Sequence, residues 1–193
     1  KDEILVSLNA TLIHDEFRNA QIQRDTLQAE ICRLNAEITG RSVIAFPKDL
    51  NDRAPSLVEL QTQLLADRTA SFAHQRQVLQ SQLEMAESEE TQQAVRLRNL
   101  KKSLDLAQQQ ESGILKLQAQ GYFPKLRALQ VQRDVTSIRS DVEQSQALLE
   151  RANSARAAAI EKLGQLDRER QGQVRQEITV KSAKFAEAEA VLQ

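Results

Sequence analysis

The chain has 193 residues, with 26 basic and 27 acidic side chains for a formal net charge of −1, five Phe, one Tyr and no Trp. The charges are interspersed without a basic stripe, which argues against nucleic acid as a partner, and a single cysteine excludes an intramolecular disulfide framework. So few aromatics leave little to fill a thick layered core, whereas abundant Gln, Ala, Leu, Glu and Arg suit long helices and coiled coils.

Residues 1–11 contain the β-prone run from Glu3 to Leu8, followed by turn or cap chemistry at Asn9, Ala10 and Thr11. The pattern predicts a short strand leading into a helix. A first helix over residues 12–40 follows from Ile13, Phe17, Ala20, Arg24, Leu27, Ile31, Leu34 and Ile38, spaced by three and four. Seven of these eight are apolar, so one narrow buried seam is expected, with Gly40 as the C-terminal cap. Cys32 lies beside Ile31 and Leu34 and reads as an inert small residue. Residues 41–55 carry two of the three prolines and break the periodicity. They read as a connector whose Val43, Ile44, Phe46 and Leu50 can pack on a neighbouring helix.

Ser56 follows Pro55 and precedes Glu59 by three residues, a capping box that would start a second helix over residues 56–120. Its seam runs Phe72, Arg76, Leu79, Leu83, Ala86, Glu90, Gln93, Leu97, Leu100, Leu104, Ala107, Glu111 and Ile114, nine of thirteen apolar. Gly121, Tyr122, Phe123 and Pro124 then interrupt the pattern and mark a reversal. A third helix over residues 125–193 shows Ala128, Val131, Val135, Ile138, Val142, Ser145, Leu149, Ala152, Arg156, Ala159, Leu163 and Leu166, ten of twelve apolar. Beyond Leu166 the repeat slips to Val174, Ile178, Phe185 and Leu192, a stutter that can mark where the first helix joins the pair. Gly164 and Gly172 flank that region, as tolerated weak spots or as points of close contact or bending. At ~1.5 Å per residue each long arm would span about 90 to 100 Å.

The predicted fold is therefore all-α: an elongated antiparallel coiled-coil hairpin with a shorter third helix at its base and a short N-terminal strand. The first helix should run beside the hairpin base, and the connector should return the chain along it. Extended at up to ~3.3 Å per residue, the connector reaches about 50 Å, enough to retrace a helix of about 42 Å.

Catalysis is not expected. There is no glycine-rich phosphate loop, and His14 and His74 have no cysteine or histidine partner at metal-ligand spacing. Glu87, Glu89 and Glu90 read as a solvated helix face, and an open helical pair has no enclosed pocket in which to shift pKa values. No cofactor or metal is implied. The residues that stand out are at the tip: Leu117, Gly121, Tyr122, Phe123, Pro124 and Lys125. Phe123 can pack back between the helix ends, and an apolar, glycine-opened turn can also meet another protein's helices, with Lys116 and Lys125 reaching acceptors on it. No apolar run is long enough for a transmembrane helix, no signal peptide is present, and both ends read as cuts through a longer protein.

Several short motifs resemble the periplasmic adaptors, or membrane fusion proteins, of bacterial export, and among them the hemolysin-D-like branch that serves type I secretion. Lys1 to Thr11 looks like the end of the family's first half-lipoyl motif, with Asp2 in place of its glycine and Asn9 in place of its aspartate. Leu34, Glu37, Gly40, Ile44, Phe46 and Pro47 resemble the branch's first-helix ending and connector, and Leu117, Gly121, Tyr122, Lys125 and Leu129 its tip. Of the Arg, Leu and Ser trio at the tip of drug-efflux adaptors only Leu117 is present; Gly113 and Pro124 stand at the other two places.

The resemblance implies a non-enzymatic adaptor in the periplasm, anchored to the inner membrane by a segment outside this sequence. It would bridge an inner-membrane ABC transporter and an outer-membrane channel, the channel meeting the tip. It further implies a homo-oligomer, hexameric by the same resemblance, whose hairpins line up into a tube. Leu64, Val78, Val95, Leu106 and Leu148, off the main seam, are candidates for the contact between copies, or are ordinary surface residues. The alternatives are a structural or tethering coiled coil, whose helices pair between chains, and a drug-efflux adaptor.

Overall fold

The computed structural model describes residues 10–192, with side chains from His14 onward. Four helices account for nearly all of them: α1 (Ala10–Ile38), α2 (Lys48–Arg53), α3 (Pro55–Ala119) and α4 (Lys125–Val191). No strand occurs among the described residues. The strand expected over residues 3–8 and the lipoyl-like motif up to Asn9 lie outside them. No described helix is long and apolar enough to cross a membrane. The contacts divide the chain into two compact units, one of residues 1–76 with 165–193 and one of Gln77–Gly164.

The first unit packs α1 against the start of α3 and the end of α4, and its ion pairs give the register. Arg53 meets Asp25 at 3.2 Å, Arg33 Nε donates to Gln61 Oε1 at 2.8 Å, and Arg68 meets Glu37 at 3.2 Å. Residue numbers rise together, so α1 and α3 run parallel. Arg170 meets Glu37 at 3.5 Å, and Lys181 meets Glu30 at 2.7 Å, so α4 runs antiparallel to both. Parallel neighbours in sequence need a return crossing, and residues 41–54 provide it. The connector is partly ordered as α2, with Leu50 fully buried, while Ile44 packs with Ala36 and Leu65, and Cys32 and Phe46 lean on that cluster. Val43, in contrast, is exposed.

Two expectations are corrected here. The connector brings the chain back only to Asp25, retracing about 22 Å of helix rather than about 42 Å. Phe17, in the expected seam, is consequently 51% exposed, because α3 starts beyond it. The buried surface of α1 is also wider than one narrow seam. Asp25, Ala29, Arg33, Ala36 and Glu37 are buried alongside Leu27 and Leu34, since α1 faces two helices at once.

Helix ends follow from local chemistry. Gly40 adopts φ +66°, and its N–H reaches the Glu37 carbonyl at 3.2 Å while Arg41 N–H reaches that of Ala36 at 2.9 Å. This is the paired C-terminal closure that favours glycine. At the start of α3 Pro55, not Ser56, leads: the Ala54 carbonyl accepts from the Leu57 and Val58 N–H groups at 3.1 and 3.2 Å. Proline's fixed φ suits the first helical position, and this places Ser56 inside the first turn rather than at the cap.

The second unit is an antiparallel pair of helices. Every expected seam position that falls in it, from Leu79 to Ile114 and from Ala128 to Leu163, is buried or half-buried. Leu97, Ala128, Val135, Val142, Ser145 and Ala152 are the most enclosed. Arg156 lies 3.4 Å from Glu87 and 3.3 Å from Glu90, tying α4 to α3 at a polar layer of the seam. The seam is not wholly apolar: the Ser145 Oγ and Gln93 Oε1 are buried without a protein partner.

Beyond Leu166 the slipped repeat is the face of α4 that meets α1. Val174 is 1% exposed, and Ile178 and Phe185 are half-buried. A Cβ at Gly172 would touch nothing within 4 Å, so no close contact requires that glycine.

Candidate functional site

The turn between α3 and α4 is built by the same closure as at Gly40. Gly121 has φ +81°, its N–H donates to the Gln118 carbonyl at 2.9 Å, and Tyr122 N–H donates to the Leu117 carbonyl at 2.9 Å. Any L side chain at that φ would be strained. Pro124 then opens α4: its carbonyl accepts from the Arg127 and Ala128 N–H groups at 3.1 and 3.2 Å. Its ring also keeps Phe123 out of helical conformation. Leu117, Gly121, Tyr122, Phe123, Pro124 and Lys125 are thus held within one tight reversal.

Their environments differ sharply. Tyr122 is 79% exposed and Leu117 45%, while Phe123 is half-buried and Ala128 closes the first full seam layer beneath it. Leu126, outside the predicted set, is 81% exposed, and Leu129 is 45% exposed. Four large apolar side chains thus face outward within thirteen residues, on the two sides of a turn in which Phe123 and Ala128 face inward. Water-facing leucines scattered singly are ordinary, whereas these are clustered at one turn. The signal for Leu126 was its place two residues ahead of Ala128, off the seam. Lys125 is exposed at the first position of α4, with Lys116 exposed in the last turn of α3.

The densest electrostatic site is in the first unit. The Glu37 carboxylate, its side chain 2% exposed, receives Arg33 at 3.1 Å, Arg68 at 3.2 Å and Arg170 at 3.5 Å. Glu177 shares Arg68 at 3.1 Å, and the Arg170 guanidinium stacks on Phe72 at 3.9 Å. Burial lowers the Arg33 pKa, and the neighbouring Arg68 charge adds to this against Glu37 and Glu177. Burial also opposes the Arg68 charge, but its bonds to Glu177 and Glu37 outweigh that and raise its pKa. A charge cluster shared by three helices, its two carboxylates held by arginines from all three, fastens the helices together. Burial also pushes the Cys32 thiol up, away from the reactive thiolate. Among the described residues no group of His, Cys, Asp and Glu is placed to hold a metal ion.

A family model described as AprE, long alpha-helical hairpin, matches residues 14–193. Among solved structures, the soluble domain of LipC, a membrane fusion protein of a type I secretion system, is similar with a TM-score of 0.87. That similarity spans 100% of this chain and 92% of the other at 20% sequence identity, a level that speaks for the fold. A search of curated protein sequences returns no match. With all but the first thirteen residues matched by the family model, the chain belongs to the AprE long-helical-hairpin family.

Proposed function

We propose that the protein is a periplasmic adaptor of a type I secretion system, joining an inner-membrane ABC transporter to an outer-membrane channel without catalysing a reaction. The observation that carries this reading is the exposed apolar cluster of Leu117, Tyr122, Leu126 and Leu129 on the turn of an antiparallel helical pair. Family membership and the LipC-like fold support it. The turn meets the channel, with Tyr122 and Leu126 as the side chains that leave water.

Several copies stand side by side in this reading. One outward column of α3 in the second unit, Val78, Met85, Gln92, Asn99, Leu106 and Gly113, recurs every seven residues and carries no charge. Val78, Met85 and Leu106 on it are exposed, which suits burial against a neighbouring copy. Leu148, by contrast, is half-buried within its own chain.

The test is a Tyr122→Ala/Leu126→Ala variant with helicity checked by circular dichroism. It should keep its fold and lose both channel binding and secretion. A folded variant that binds the channel as tightly as the wild type would remove recognition from the turn.

A further inference from the structure

We infer that the surface recognised by this turn is acidic as well as apolar, so that charge steers the encounter and the leucines and Tyr122 hold it. This rests on the adaptor reading and names the chemistry of the partner's surface. From Ser112 to Arg133 the chain carries Lys116, Lys125, Arg127 and Arg133 and no acidic residue, with Glu111 and Asp134 closing the stretch. That segment is therefore +4 in a chain of net −1, which leaves −5 for all the rest. All four cations are exposed, and they flank the exposed Leu117, Tyr122, Leu126 and Leu129.

Lys116, in the last turn of α3, suits the helix dipole, but the placement of Lys125 and Arg127 works against the hairpin's own stability. A helix N-terminus is the positive end of the helix dipole and favours Asp or Glu in its first turn. The first turn of α4 has none and carries Lys125 and Arg127 instead. Like charges also crowd around one tight turn. Cations put where the fold disfavours them have their compensation outside the chain, in acidic groups of a partner. Opposite-charge surfaces accelerate association and make it depend on salt, whereas apolar contacts govern how slowly the complex separates.

An anionic membrane could also attract a basic, leucine-bearing tip. The helices here form a closed reversal in which four large apolar side chains are exposed, a small knob suited to a groove between helices rather than a long amphipathic face lying in a lipid interface.

The experiment is kinetic, with the purified outer-membrane channel of the same secretion system in neutral detergent. Its surface-immobilised form meets the wild type, Lys116→Gln/Lys125→Gln/Arg127→Gln and Tyr122→Ala/Leu126→Ala. At low ionic strength the charge variant should associate about tenfold more slowly with its dissociation rate nearly unchanged. In ~0.5 M salt, where screening shortens to a few ångströms, that gap should close. The apolar variant should instead dissociate faster. If the wild type binds but the charge variant and salt leave its association rate within about twofold, the acidic surface is refuted while the adaptor reading stands. If the wild type does not bind, or the apolar variant binds like the wild type, the adaptor reading fails at this site. Binding to phosphatidylglycerol vesicles with none to the channel would overturn the inference in favour of lipid.

Discussion

Replacing Glu37 by Gln removes the one anion on which Arg33, Arg68 and Arg170 converge from three helices. Breaking a buried ion pair from one side costs roughly 3–5 kcal/mol, because the partner charge stays buried and unpaired. Here two terms reduce that figure. Gln keeps an oxygen acceptor, and Arg68 and Arg170 are partly solvated, their side chains 32% and 19% exposed, with Glu177 still holding Arg68. The expected loss is about 2–3 kcal/mol. Glu30→Gln is the control: its bond to Lys181 joins α1 to α4 at 2.7 Å, but the two side chains are 21% and 33% exposed, so ~1 kcal/mol or less is expected. Urea unfolding followed by circular dichroism gives the difference from the shift in midpoint. Amide exchange should place the loss in α1, with the second unit keeping its protection. A Glu37→Gln loss no larger than that of Glu30→Gln would refute the view that this cluster fastens the three-helix unit.

Other substitutions probe other parts of the fold. Leu34→Ala, at a site with no exposed surface, should cost about 2–5 kcal/mol, and Phe17→Ala, half in water, under about 1 kcal/mol by the same urea assay. Gly121→Ala must force a methyl-bearing residue to φ +81° and should cost ~1–2 kcal/mol, seen as faster amide exchange at Gly121 and Tyr122. Ser145→Ala removes a hydroxyl buried without a protein partner and should stabilise the second unit by about 1 kcal/mol. The exposed Ser140→Ala corrects for the better helix propensity of alanine, and a Ser145→Ala gain no greater than that of Ser140→Ala would mean an ordered water satisfies the hydroxyl.

The long helices were legible because a seam repeated over many heptads outweighs local noise. Each position from Ala128 to Leu163 expected in the α4 seam is buried or half-buried. The stutter after Leu166 was legible too, and it marks where α4 turns Val174 and Ile178 toward α1. What pattern could not give was the width of the α1 contact. Arg33 and Glu37 lie off the expected seam, and partners from distant sequence make their burial tolerable: Arg68 and Arg170 on Glu37, Gln61 and Glu177 on Arg33. The extent of the connector's return was hidden for a similar reason. Its length set an upper bound, while α2 and the Arg53 bond to Asp25 set where it stops. At the turn, glycine and proline announced the reversal. Whole-chain charge balance concealed the +4 segment around it, and Leu126 escaped notice because it lies off the seam.

In the proposed adaptor the turn, rather than the flank of the helices, meets the outer-membrane channel. A photo-crosslinking amino acid placed at Tyr122, and separately at Val95, tests it in the assembled secretion complex. Both positions are exposed, and Val95 lies about 33 Å along α3 from Leu117. Channel adducts are expected from position 122 and none from position 95. Channel adducts from position 95 with none from 122 would contradict it.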